Sequence, residues 1–163
     1  MRSQNGHKAE RRKHPRLPVV EGLIEPIDLH FDVSPNGKAS KGAPKSQPAI
    51  LTNLSAGGMS LLTFVEPPHA KVFDMKIGLP GLNHVPVQGK VVRVHAKGQT
   101  FNVGIQFVKI STKHQKHIDR MAVDNLDCDT RVSLRLPEAC VRDCTFHSLC
   151  HKAQKAPHWP PRV

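Results

Sequence analysis

The most constraining feature of this chain is a set of apolar side chains at alternate positions, broken at short intervals. They fall in Ala49 to Leu54, Gly58 to Val65, Lys71 to Leu79, Val85 to His95 and Thr100 to Val108, with Gly, Pro or Asn at most of the breaks. A period of two sends successive side chains to opposite faces of a strand, so each run has one face to bury. Short strands at this spacing predict an antiparallel barrel or sandwich. The stretch VPVQGKVVRVHAKGQTFNVGIQFVKI reads as a hairpin turning at Lys97 to Gln99, with Val92, Val94, Val103, Ile105 and Phe107 as core residues.

The flanks extend this plan. Leu17 to Val33 mixes β-branched, apolar and acidic residues and is interrupted at Pro26, which predicts a first strand with a bend. Residues 34 to 48, SPNGKASKGAPKSQP, hold almost nothing that packs and read as a flexible loop. After Ile110 the period changes, and Ile118, Met121, Ala122 and Leu126 stand at helical spacing with Ser111 or Thr112 placed to cap the start. A second helical run is expected from Pro137 to about Cys150, since proline suits the first turn of a helix. The expected organisation is a basic arm at 1–16, a β-domain with its helix at 17–126, and a cysteine-rich tail at 127–163.

At 163 residues and 38% hydrophobic content, the chain has the means for one modest core. Lys and Arg number 24 against 13 Asp and Glu, a formal net charge of +11 that favours anionic partners. The excess is concentrated in Arg2, Lys8, Arg11, Arg12, Lys13 and Arg16, opposed only by Glu10. Such an arm is an anion-binding element or a solvated tail, and composition alone does not separate the two. No stretch approaches the roughly 18 apolar residues of a membrane span, and the polar start lacks the apolar segment of a secretory signal. A soluble cytoplasmic protein is expected.

Two short segments carry chemistry. Arg12 and Arg16 stand four apart in RRKHPR, where Pro15 holds His14 extended, so the pair does not belong to an ordinary surface helix. Arginine's planar fork supplies five donors and a stacking face, which suits phosphate oxygens and the O6 and N7 acceptors of guanine; lysine supplies a point charge. The second segment is NLSAGG at Asn53 to Gly58. Asn53 and Ser55 have side chains that bond nearby amides or an approaching ligand, and Gly57 and Gly58 permit positive φ and close backbone approach. The same residues also suit a plain turn.

Taken together, R-x-x-x-R ahead of a first strand and [D/N]-x-S-x-x-G at a strand junction resemble the two-part signature of the PilZ family. The likeness continues through GGMSLLT, GKVVRV and GIQF, covering about residues 10 to 126. It implies a mainly β fold: a six-stranded antiparallel PilZ-type β-barrel followed by a helix, here with a short helical, cysteine-containing extension. It also implies a receptor for cyclic di-GMP that is not an enzyme. By this resemblance Arg12 and Arg16 contact guanine and phosphate, and Asn53, Ser55 and Gly58 hold the other side of the ligand. Arg11 is an extra donor beside them. Arg93, on a strand, is read as facing solvent. The receptor is expected to change conformation on binding, as the ligand orders the arm, and to signal to a protein partner.

The four cysteines, Cys128, Cys140, Cys144 and Cys150, follow C-x11-C-x3-C-x5-C with His147 and His151 interleaved. Four thiolates suit a tetrahedral zinc or an iron-sulfur cluster; otherwise they pack as small hydrophobes. On one straight helix Cys140 and Cys150 would lie roughly 15 Å apart, too far for one zinc. A four-cysteine site therefore requires a break after Cys144, or His147 in place of Cys150. Two further functions fit parts of the chain: a nucleic-acid-binding protein with a zinc-stabilised tail, and a metal or redox sensor. With no Tyr, one Trp and six Phe, the chain is poor in stacking platforms for single strands. Its 11 histidines assemble no recognisable catalytic set, and His14, His69, His84 and His95 are read as surface or core residues.

Overall fold

The computed structural model describes residues 13–17, 27–31, 45–67 and 72–156. Seven strand segments precede one helix: β1 Arg16–Leu17, β2 Ile27–Phe31, β3 Lys45–Ser55, β4 Gly58–Thr63, β5 Phe73–Leu79, β6 Leu82–Lys97, β7 Thr100–Ile110 and α1 Thr112–Ser133. All pairing is antiparallel, in the order β1-β3-β4-β7-β6-β5 with β2 also on β3. Because β1 is only two residues long, six strands have ladder length, the number that the PilZ resemblance implies. The sheet curls until β2 lies against β5, yet no ladder joins them among the described residues. The architecture is an open, barrel-like sheet rather than a closed barrel.

Alternation does what the pattern requires. In β5, Phe73, Met75, Ile77 and Leu79 are buried and the residues between them exposed. They meet Leu54, Leu61, Leu82, Val85, Val103 and Ile105 from the other strands, and Ile118, Met121 and Ala122 of α1 close over one end. Ser111 caps α1, its hydroxyl accepting from the His114 amide at 3.3 Å. The Lys97–Thr100 turn falls where expected, with Gly98 at a φ of 62° that a side chain would resist.

Several expectations are corrected. Of the expected first strand, β1 pairs with Leu54 and Ser55 and β2 with Lys45 to Ala49, while the expected bend at Pro26 lies outside the described residues. The expected loop at 34–48 ends early, since Lys45 to Pro48 already belong to β3. Pro48 is tolerated because β4 first pairs at Ala49, which leaves β2 as that segment's one neighbour among the described residues. Val92 is 56% exposed and not a core residue, while Val103, Ile105 and Phe107 are buried. Val92 is the extra residue of a bulge between Val91 and Arg93 that shifts the inward phase of β6 by one position: Val85 and Val87 are buried ahead of it, Val91 is half-buried against the core, and the expected core residue Val94 is only half-buried beyond it. Leu126 is likewise exposed, and Asn125 takes the inward position one turn beyond Met121 and Ala122.

Helix α1 runs past the expected boundary at residue 126 and carries Cys128 on its buried side. It stops by a Schellman pattern: Arg135 takes φ 55°, its amide reaching Val132 O and that of Leu136 reaching Arg131 O, both at 3.0 Å. The chain leaves in a new direction before Pro137. The expected second helix does not form; Pro137 to Phe146 is a series of turns, followed by a single 3-10 turn at His147–Leu149.

Candidate functional site

The segments singled out in the sequence meet in one cleft. Arg16 of β1 pairs opposite Ser55, the last residue of β3, so the arm enters the sheet beside the β3–β4 turn. Asn53, Ser55 and Ser60 alternate with the buried Leu54, Met59 and Leu61, and therefore project from the face turned away from the core. With Arg16, Gly57, Gly58, Arg93, Gly104 and Gln106 they line a cavity of about 500 Å³. Arg11 and Arg12 lie outside the described residues.

Each glycine and serine of the turn has a local reason. The Ser55 hydroxyl donates to Gly58 O at 3.1 Å, closing the turn and leaving its oxygen able to accept. Gly58 does not have positive φ, contrary to the expectation from its residue type. Its need is space: a Cβ there would run into the Ile105 carbonyl and lie 3.2 Å from Gln106 Cα. At Gly57 a side chain would meet the His14 ring at 3.2 Å. His14 in turn sets Nδ1 3.1 and 3.2 Å from the two carboxylate oxygens of Asp119 on α1. The arm is thus pinned between turn and helix two residues before Arg16.

Arg93 shows what the sequence reading missed. It is exposed, as expected, yet it also lines the cleft. The β6 bulge accounts for this, because Val92 and Arg93 both lean over Gly104, whose missing side chain leaves room for them. Nothing in the local alternation signals a bulge. Gln106 was more legible, standing between the buried Ile105 and Phe107 of GIQF. A larger cavity, about 740 Å³, lies between β5, β6 and β7 against Met75, Pro86, Val87 and Ile110, and contains none of the motif residues.

Comparison with protein families gives a match to the PilZ domain over residues 10–124, more than half of the chain. The chain belongs to the PilZ family. Among solved structures this PilZ chain is similar to YcgR of Escherichia coli in complex with c-di-GMP, at 16% identity and TM-score 0.50, covering 77% of this chain and 50% of that one. It is also similar to the inhibitor of motility MotI/DgrA of Bacillus subtilis, at 15% identity and TM-score 0.48 over 78% and 54% of the two chains. The PilZ domain of E. coli YcgR with c-di-GMP gives 17% identity and TM-score 0.45 over 78% and 99%. The chain spans about half the length of the first two. At these identities the likeness is one of fold. Comparison with curated proteins finds no match.

Beyond the PilZ match, the tail folds back on α1. Asp124 Oδ2 accepts from the Thr145 amide at 2.6 Å and its hydroxyl at 2.7 Å, while Lys152 Nζ reaches Asp129 at 2.6 Å and Asn125 O at 3.2 Å. Phe146, Leu149 and Cys150 enter the main core. All four cysteines are free thiols, Cys128 and Cys150 buried and the other two partly so. Burial pushes the Cys144 thiol up; the Phe146 amide, donating to its sulfur, opposes that, and Asp124, Cys128 and Cys150 add to it. Among the described residues, no three His, Cys, Asp or Glu side chains stand ready-made as a metal-ligand set. None of the described helices is long and apolar enough to cross a membrane.

Proposed function

We propose that this PilZ domain is a cyclic di-GMP receptor whose ligand occupies the cleft between the arm, the β3–β4 turn and the β6 bulge. The observation that carries the reading is convergence: Arg16, Asn53, Ser55 and Gly58, from segments some forty residues apart, line one polar cavity together with Arg93. Both arginines are exposed there, as an incoming dianion requires, and each offers a bidentate fork and a stacking face. Asn53 and the Ser55 oxygen supply short-range bonds from the rigid sheet, while Gly58 acts by holding β4 against β7. E. coli YcgR, of the same fold, is in complex with c-di-GMP.

In this reading Arg12, and Arg11 beside it, complete the grip from the arm. The ligand draws Arg12 and Arg11 onto the cleft, beyond the point where His14 and β1 already hold the arm, and the altered surface around β1 and α1 is what a protein partner recognises. A ligand shifts such an equilibrium only by its differential affinity for the joined state, so the arm contacts must be made with ligand bound. The domain acts by binding and not by catalysis, in the cytoplasm. Isothermal titration with cyclic di-GMP, GTP and a short DNA duplex tests this. Saturable binding of cyclic di-GMP alone is expected; binding of the duplex without it would transfer the basic arm to nucleic-acid recognition.

A further inference from the structure

The receptor reading leaves the cysteines without a role. They come from four places: Cys128 on α1, Cys140 after the chain has turned away from it, Cys144 in the next turn, and Cys150 just past the 3-10 turn. All four line one small enclosed cavity of about 10 Å³, room for one water-sized sphere. We propose that Cys128, Cys140, Cys144 and Cys150 bind a single zinc-class divalent ion that staples the tail to α1.

The obstacle that a straight helix would present is gone. Pro137 to Phe146 is not helical, and successive turns carry Cys140, Cys144 and Cys150 to the wall of the same cavity, where their thiols must still re-aim to form a ligand set: Cys144 N to Val141 O and His147 N to Cys144 O at 3.3 Å, Cys150 N to His147 O at 3.2 Å. His147 also lines the cavity, its Nε2 donating to Ala156 O at 3.2 Å, but four cysteines already make a complete tetrahedral set without it. The Phe146 amide donates to the Cys144 sulfur, an outer contact of the kind that holds a ligand in orientation.

Charge and size narrow the occupant. Four thiolates around a divalent ion leave a net charge of −2, and Arg131 and Lys152 form part of the cavity wall. Lys152 also hydrogen-bonds Cys128. A four-iron cluster would need far more volume than one ion. Each cysteine has one side-chain torsion, and coordination selects the rotamer that turns its sulfur inward. Binding replaces four S–H bonds with four Zn–S bonds and releases the protons to buffer, so affinity rises with pH. A staple is also what this segment needs: from Pro137 to Ala156 its regular structure among the described residues is one 3-10 turn.

The test uses the full chain, purified under reducing conditions and titrated with zinc against a chromophoric chelator, with metal content and native mass read in parallel. Roughly one zinc per chain is expected, with four thiols shielded from alkylation and all four exposed after chelation. Cobalt(II) in place of zinc should give the intense visible bands of a tetrahedral thiolate site. Cys140→Ser, at a half-buried position outside the main core, should retain the β-sheet signal and weaken zinc binding on the order of 100-fold. Zinc left with the chelator by the reduced wild-type chain, iron with acid-labile sulfide, or two disulfides in the mass would each overturn the proposal. Cyclic di-GMP titration of the same samples keeps this result separate from that of the cleft.

Discussion

The cleft and the cysteine tail gather residues from distant parts of the chain by different means. In the cleft the gathering is done by ladders: Arg16 is opposite Ser55, Ser60 opposite Asn53 and Arg93 opposite Gly104, all through backbone hydrogen bonds that any side chain would permit. In the tail it is done by side chains, with Asp124 holding Thr145 and Lys152 holding Asp129. Exposed cleft side chains on a ladder, such as Arg16 and Arg93, can therefore be removed at little cost to the fold, whereas those in the tail hold up the structure they belong to. Binding and stability should separate between the two regions.

The largest test of that separation is Arg16→Ala. Losing a charged bidentate donor should weaken cyclic di-GMP about 100-fold, near 3 kcal/mol, with the thermal midpoint unchanged. Retained affinity would remove Arg16 from the site. Gly58→Ala is the exception that sharpens the rule, because a methyl there presses on the β7 backbone. It should cost about 1–3 kcal/mol in denaturant unfolding and weaken binding only through the fold.

Asp124→Ala in the tail should cost about 1–2 kcal/mol of stability, as the Thr145 amide and hydroxyl lose their acceptor, and leave cyclic di-GMP affinity unchanged. A comparable loss of affinity would mean that the two regions are coupled through α1. Arg93→Ala should weaken binding about tenfold, and Arg93→Lys should restore little of it because the fork is lost. Smallest is Asp119→Asn, which loosens the arm at His14. That pair is partly exposed, so a two- to threefold loss of affinity, within about 0.6 kcal/mol, is expected by titration calorimetry.

Legibility followed the range of the interactions. The alternation in β5 and β7, the cap at Ser111 and the turn at Gly98 are set by neighbours in the chain and were readable from it. Val92 and Arg93 were not, because a bulge is decided by how two strands share their hydrogen bonds. The end of α1 was misjudged for a related reason: a left-handed arginine at position 135 replaces the glycine that usually announces it.

By itself the sequence determined the period-two core, the helix that starts after Ser111, the PilZ signature in Arg12, Arg16, Asn53, Ser55 and Gly58, and a cluster of thiols near the C-terminus. The tertiary structure alone decided that Arg16 and Arg93 share one cleft, that Gly58 acts through space rather than φ, and that four irregularly spaced cysteines line one cavity. The division is physical. Periodicity and motif spacing are local along the chain, whereas strand register, bulges and the path of an irregular segment depend on partners that only folding brings into contact.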